Sequence, residues 1–407
     1  MTSIQLESLL LRNFRNYAAL DLRFSPGRNL ILGANGQGKT NLLEAVHLLS
    51  HARSHRTSDD RELIQHGKET EGARIAGRVA SAETGASSLL DMRFLPQQGR
   101  TGLRTVCRVE ETVLRSRSKL LGHLPTVSFF LSDLDLVRGT PSDRRRWLDA
   151  AVTQMNRLHV DALTEFQRIH KQKSQLLKEL GEQGQWQGSS VLDILNDQFI
   201  QASVRLLGSR LAYLAGLRER AARTYATLSH GADVELGLGY EIRGLETIFD
   251  NRQPSDAELT AGLVHLLGER QRDEIRRGVC LVGPHRDDLK LLLGGRDATA
   301  FASQGQQRTI VLALKLSELD CLTERLQTPP VLLLDDVMAE LDRDRQRQLL
   351  VRLEQAGQVF LTTTHLDEER IRPFLDAREA MIYHVDGGTV ALESVSGSMT
   401  AEVRHGF

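Results

Sequence analysis

The run Gly33-Ala34-Asn35-Gly36-Gln37-Gly38-Lys39-Thr40 follows the apolar stretch Leu30-Ile31-Leu32 and precedes the helix-like Asn41-Leu42-Leu43-Glu44-Ala45-Val46. Strand, glycine-rich turn and helix in that order restrict this part of the chain to an α/β fold built round a phosphate-binding loop. Glycines at 33, 36 and 38 let backbone N–H groups face phosphate oxygens, and the helix N-terminus behind them favours an anion. Lys39 is expected to reach the β- and γ-phosphates, and the Thr40 hydroxyl to ligate Mg²⁺. Residues 33 to 40 are therefore predicted to hold a nucleotide.

A chain of 407 residues is long enough for more than one compact unit. Its formal net charge of -1 confines any nucleic-acid surface to a local patch. Cys107, Cys280 and Cys321 lie far apart without a C-x-x-C pair, as expected of a reducing compartment, and they give no metal-site pattern. No apolar run reaches membrane-spanning length, and the start Met1-Thr2-Ser3-Ile4-Gln5-Leu6-Glu7 is acidic where a secretory signal is basic. A cytoplasmic protein with no membrane association is expected.

Far downstream, Val331-Leu332-Leu333-Leu334-Asp335-Asp336 reads as a buried strand ending in two carboxylates, after the turn signal Pro329-Pro330. Beside a phosphate loop, Asp335 is expected to hold Mg²⁺ through water and Asp336 to position the attacking water. Val359-Phe360-Leu361-Thr362-Thr363-Thr364-His365 is the next strand, with His365 a catalytic candidate at its carboxyl end. Ser303-Gln304-Gly305-Gln306 opens a further helix, where free N–H groups and the helix dipole make an anion site without a long cationic side chain. With the two other motifs in this order, Ser303 to Gln306 resembles the signature motif of ABC-type ATPases. That resemblance implies an ATP-sandwiched homodimer, the signature of one copy closing on the γ-phosphate held by the other.

The spacing from Lys39 to Ser303 is longer than expected for a transporter's nucleotide-binding subunit and far shorter than for a chromosome-condensing SMC protein. Between them, Leu148, Val152, Met155, Ala162, Phe166, Ile169, Leu176 and Leu180 make one amphipathic stripe. Ile200, Val204, Leu207, Leu211, Leu214 and Ala221 make a second after a polar break. The two are expected to pack as an antiparallel pair, a short helical arm over about 141–225.

Several runs together resemble the RecF family of bacterial recombination mediators: Asn13-Phe14-Arg15-Asn16-Tyr17, Gly36 to Ala45, Arg53-Ser54-His55-Arg56, Asp133 to Gly139, Gly283-Pro284-His285-Arg286-Asp287-Asp288, and the signature itself. The resemblance implies a P-loop NTPase of ABC-head type. Lobe I would comprise residues 1–125 and 328–407, and a largely helical lobe II residues 126–327. It further implies ATP and Mg²⁺ as cofactors, dimerisation on gapped or junction DNA, and cooperation with RecR and RecO to load RecA. Asp336 stands where SMC-type heads have glutamate, as in RecF proteins; its shorter side chain suits a weak ATPase. Phe129-Phe130-Leu131-Ser132-Asp133-Leu134 lacks the family's usual Pro-Glu pair, and Ala339-Glu340-Leu341-Asp342 replaces the usual serine of a dimer-contact loop.

Candidate DNA contacts are the eight basic residues Arg144, Arg145, Arg146, Arg157, Arg168, Lys171, Lys173 and Lys178, each equally readable as a solvated helix face. His285 and Arg286 could likewise serve only to pin lobe II through Asp287 or Asp288. A transporter nucleotide-binding subunit and an SMC-like structural tether are the alternatives. The first should carry a shorter spacing, and the second needs a long coiled coil.

Overall fold

The computed structural model describes residues 4–81, 85–97, 102–185, 189–229, 234–245, 248–249, 253–354, 356–364, 374–375 and 380–394. The chain forms two compact units, Met1–Asp133 with Leu322–Phe407, and Leu134–Cys321.

The first unit contains two sheets. One is antiparallel, in the order β2-β1-β4-β5-β6-β7, from β1 (Ile4–Phe14), β2 (Tyr17–Arg23), β4 (Ala73–Ser81), β5 (Ser87–Pro96), β6 (Leu103–Val109) and β7 (Thr112–Val113). A register shift between Leu6 and Ser8 lets Leu6 and Leu9, three apart, both point inward and be fully buried. The other runs β16-β15-β3-β14-β13-β8, from β3 (Arg28–Leu32), β8 (Thr126–Phe129), β13 (Val331–Asp335), β14 (Val359–Thr363), β15 (Ala380–Asp386) and β16 (Thr389–Ser394). All its pairings are parallel except the β15–β16 hairpin. Burial on both faces explains why β3, β8 and β14 are buried at every position.

Helix α1 (Lys39–His51) supplies Leu42, Leu43, Val46 and Leu49 to a core shared with Leu9 and Leu11 of one sheet and Leu333 and Phe360 of the other. Fully buried Gln358 ties the sheets together: it accepts from the Leu6 N–H at 2.8 Å and donates to the carbonyls of Leu6 and Ser25 at 2.9 and 2.7 Å. Helices α9 (Val337–Glu340) and α10 (Arg343–Glu354) follow β13.

The second unit holds α2 (Asp135–Arg138), α3 (Pro141–Met155), α4 (Arg157–Glu182), α5 (Ser190–Leu228), α6 (Asp256–Arg277) and α7 (Ala298–Phe301). It also holds a sheet ordered β10-β9-β11-β12, from β9 (Leu236–Glu241), β10 (Ile248–Phe249), β11 (Asp288–Leu293) and β12 (Arg296–Asp297). Within α8 (Gln304–Leu326) the chain returns to the first unit at Leu322.

Two expectations shift. The boundary expected at residue 126 falls after Asp133, because Thr126–Phe129 pairs with β13 as the edge strand of the parallel sheet. The single stripe expected from Pro141 to Leu180 is two helices, broken at Asn156. The Asn156 side chain accepts the Leu158 N–H at 3.0 Å and so caps α4. Helices α4 and α5 do run antiparallel: Arg205 bonds Glu165 at 2.6 Å, the His159 ring meets the Ser209 hydroxyl at 2.6 Å, and Lys173 lies over the Phe199 ring. Among the described residues no helix is long and apolar enough to cross a membrane.

Candidate nucleotide site and its partner motif

The loop from Gly33 to Gly38 leaves the buried end of β3 and enters α1 without any side-chain cap, so the first N–H groups of the helix are left for a ligand. Gly38 has φ +122°, and a Cβ there would lie 2.6 Å from the Asn16 side-chain nitrogen. At Gly33 a Cβ would stand 2.4 Å from the Val385 carbonyl oxygen, so neighbouring backbone excludes any side chain.

The loop is held from behind by two hairpin turns. The Tyr17 hydroxyl donates to the Gly38 carbonyl at 3.0 Å, Asn16 donates to the Gln37 carbonyl at 2.8 Å, and the Gly388 N–H reaches the same carbonyl at 3.1 Å. The Gln37 side chain accepts from the Gly387 N–H at 2.7 Å. The loop is thereby fixed before any ligand arrives, which lowers the cost of binding. Lys39 donates to the Gly33 and Ala34 carbonyls at 2.7 and 3.0 Å, and burial lowers its pKa against the opposing pull of Asp336 and Asp335.

Asp335 ends β13, two strands from β3, and its carboxylate accepts the Thr40 hydroxyl at 2.8 Å. Thr362, at the corresponding end of the intervening β14, donates to Asp335 at 2.8 Å and accepts the Asp336 N–H at 2.9 Å. Burial raises the Asp335 pKa; the hydroxyls of Thr362 and Thr40 oppose that rise. Asp336 takes the left-handed conformation, φ 53°, and its Oδ1 is buried without a hydrogen-bond partner.

These residues fit a nucleotide with its metal. An orphaned carboxylate oxygen, a hydroxyl–carboxylate pair and a buried ammonium surround a glycine-rich loop at a helix N-terminus that has no side-chain cap. Thr40 and Asp335 would hold Mg²⁺, which would supply charge neutralisation at the phosphates. His365 lies outside the described residues. Asn16, Tyr17 and Thr362 had no predicted role at the site and are added to it by the fold.

A second layer supports α1. Fully buried Glu44 accepts two bonds from Arg15, at 2.9 and 2.7 Å, and one from Ser54 at 2.5 Å; Arg56 bonds Asn41 at 2.7 Å.

In the second unit, Ser303 stands immediately before α8. Its hydroxyl accepts the Gln306 N–H at 3.3 Å, and the Gln306 side chain accepts the Ser303 N–H at 2.8 Å, a reciprocal cap. Ser303, Gln304 and Gly305 are exposed.

The Gly283 to Asp288 run sits in a buried polar network. Asp288 takes a two-pronged bond from Arg144 at 2.8 and 2.9 Å, and Arg145 donates to the Asp287 carbonyl. Arg210 pairs with Asp149 at 2.7 and 2.8 Å and also bonds the Tyr240 hydroxyl and the Pro284 carbonyl, each at 2.9 Å. Arg286 and His285 both reach the Cys280 carbonyl. Burial pushes the His285 imidazole down to about 3 and the Asp287 carboxyl up to about 7. Of the eight basic candidates, Lys173 is fully buried against Glu274 at 2.8 Å, and Arg144 is buried on Asp288. Those two serve the interior.

A family model described as RecF/RecN/SMC N terminal domain matches residues 5–372. The solved Smc head domain of Pyrococcus furiosus, with 16% identity, TM-score 0.53 and 97% of each chain covered, shares the fold. Parallel sheet, phosphate loop and paired aspartates thus define an ATPase head of the ABC class, in its SMC-like branch.

Relatives narrow this further. The DNA replication and repair protein RecF of Listeria monocytogenes is 39% identical over 391 residues, covering 95% of this chain and 99% of the relative. That of Lactobacillus delbrueckii subsp. bulgaricus is 41% identical over 355 residues, 87% of this chain and 89% of the relative. The solved recombination mediator protein RecF with ATP, of the RecFOR pathway, matches with TM-score 0.83 and 30% identity over 97% of this chain and all of that one. The chain belongs to the RecF family.

Proposed function

We propose that this chain is an ATP-dependent DNA clamp acting in replication and recombinational repair. Two copies close on gapped or junction DNA around two molecules of ATP and, with RecR and RecO, promote RecA loading in the cytoplasm. The observation that carries this reading is the Thr40–Asp335–Thr362 cluster behind a braced phosphate loop, with Asp336 beside it holding an unpartnered carboxylate oxygen. The relatives' roles in DNA replication, repair and the RecFOR pathway support it.

In this reading the N–H groups of residues 33 to 40 and the Lys39 ammonium bind the phosphates. Thr40 and Asp335 hold the metal ion, Asp336 and His365 act on the attacking water, and Ser303 to Gln306 of the second copy close over the γ-phosphate. An aspartate reaches less far than a glutamate, so turnover is slow and DNA-stimulated, a switch more than an engine. Asp336→Asn tests it. The variant should bind ATP normally, lose most turnover and dissociate more slowly from DNA; unchanged turnover would remove Asp336 from the mechanism.

A further inference from the structure

The antiparallel sheet of the first unit buries one face on the core and leaves the other outward. Residues paired across neighbouring strands share a face. Inward positions are apolar, among them Leu9, Leu11, Ile75, Leu90, Met92 and Cys107.

Outward, Arg12 lies opposite Arg74 and Arg74 opposite Arg93, one row of arginines across β1, β4 and β5. Arg23 and Arg78 lie on either side of Ser8, Arg108 opposite Asp91, and Arg104 opposite Leu95. Against these seven arginines the described strand residues of the face carry only Asp21 and Asp91, with Glu7 at the bulge and Glu110 in the turn after β6. The excess is local, because the whole chain is at net charge -1.

Like charges directly opposite one another destabilise a sheet, so the row needs a reason. Asp91 offsets part of the cost by accepting from Arg74 at 3.0 Å and Arg93 at 2.8 Å, and Arg12 turns to the Leu11 and Leu20 carbonyls. The side chains of Arg74 and Arg93 remain about a third exposed. The strands of this sheet contain no lysine. Planar guanidinium groups in fixed orientation suit phosphate oxygens better than mobile ammonium groups do.

We propose that this sheet face is a docking surface for the phosphate backbone of duplex DNA. The inference rests on the clamp reading and assigns it a surface. Six strands span about 24 Å, enough to cover a major and a minor groove of roughly 12 and 6 Å. A protein partner fits less well: the aromatics of these strands, Phe14, Tyr17 and Phe94, are all buried in the core, so the face lacks aromatic anchors.

The test is fluorescence anisotropy of a labelled duplex with the full-length chain and a slowly hydrolysed ATP analogue, between 50 and 200 mM salt. Arg23→Ala with Arg78→Ala should weaken binding regardless of DNA sequence and flatten the log–log salt slope by about 1.8, or about 0.9 per lost phosphate contact. Nucleotide binding should be unchanged. Asp21→Arg should do the reverse, tightening binding and steepening the slope by about 0.9, a gain that misfolding cannot produce. Wild-type affinity and slope in all these variants would overturn the surface while sparing the clamp reading. No duplex binding by the wild-type chain would overturn both.

Discussion

His285 and Asp287 titrate in opposite senses, and removing them one at a time should expose a pH dependence that the intact second unit conceals. Burial lowers the His285 pKa from 6.5 to about 3, so its stabilising contribution is complete above pH 6.5 and is lost as pH falls toward 3. Burial raises the Asp287 pKa from 3.8 to about 7, so its contribution is complete below 3.8 and is lost as pH rises toward 7. Between 3.8 and 6.5 the first group adds about 1.4 kcal/mol of stability per pH unit and the second subtracts the same. The sum is flat.

His285→Gln keeps an amide donor toward the Cys280 carbonyl, and Asp287→Asn keeps an acceptor for the Arg243 N–H. The first variant should therefore lose about 3–4 kcal/mol between pH 4 and 6.5, and the second should gain as much. Denaturant unfolding followed by tryptophan fluorescence reports on this through Trp147, buried in α3 of the second unit. Two variants that both follow the wild-type pH profile would refute the opposed titrations.

Three further outcomes follow from the geometry. Gly38→Ala places a Cβ at φ +122° against Asn16 and Tyr17, a strain of about 1–3 kcal/mol; titration with a fluorescent ATP analogue should show roughly 5- to 150-fold weaker binding. Thr362→Val leaves the Asp336 N–H unpaired at about 1–3 kcal/mol, and raises the Asp335 pKa further. Thermal melting should show the loss, the acid limb of ATP hydrolysis should move to higher pH, and Thr362→Ser should restore both. Lys173→Ala strands buried Glu274 and should cost about 3–5 kcal/mol in denaturant unfolding, with no change in DNA salt slope; a flatter slope would make Lys173 a phosphate contact.

The phosphate loop was legible because its glycine spacing, preceding strand and following helix are all local. The Asp335 strand was legible for the same reason. The roles of Thr362, of Asn16 and of the Gly387–Gln37 contact were not, since the partners lie between about twenty and 350 positions apart and no local pattern pairs them. Lys173 carried a signal that charge counting hid: four residues after Ile169 and four before Leu177, it occupies the core stripe of α4. The break at Asn156 was masked because apolar spacing continues almost in phase across it. The arginine face was hidden by length, since no strand contributes more than two arginines, and only pairing brings them together.

The clamp is tested most directly by light scattering of the full-length chain with a slowly hydrolysed ATP analogue and gapped duplex, beside Ser303→Arg. Wild type should double in protein mass only when nucleotide is present, and Ser303→Arg should bind nucleotide yet stay single. A wild-type chain that remains monomeric with both ligands saturating, or a Ser303→Arg variant that pairs normally, would contradict closure across two copies.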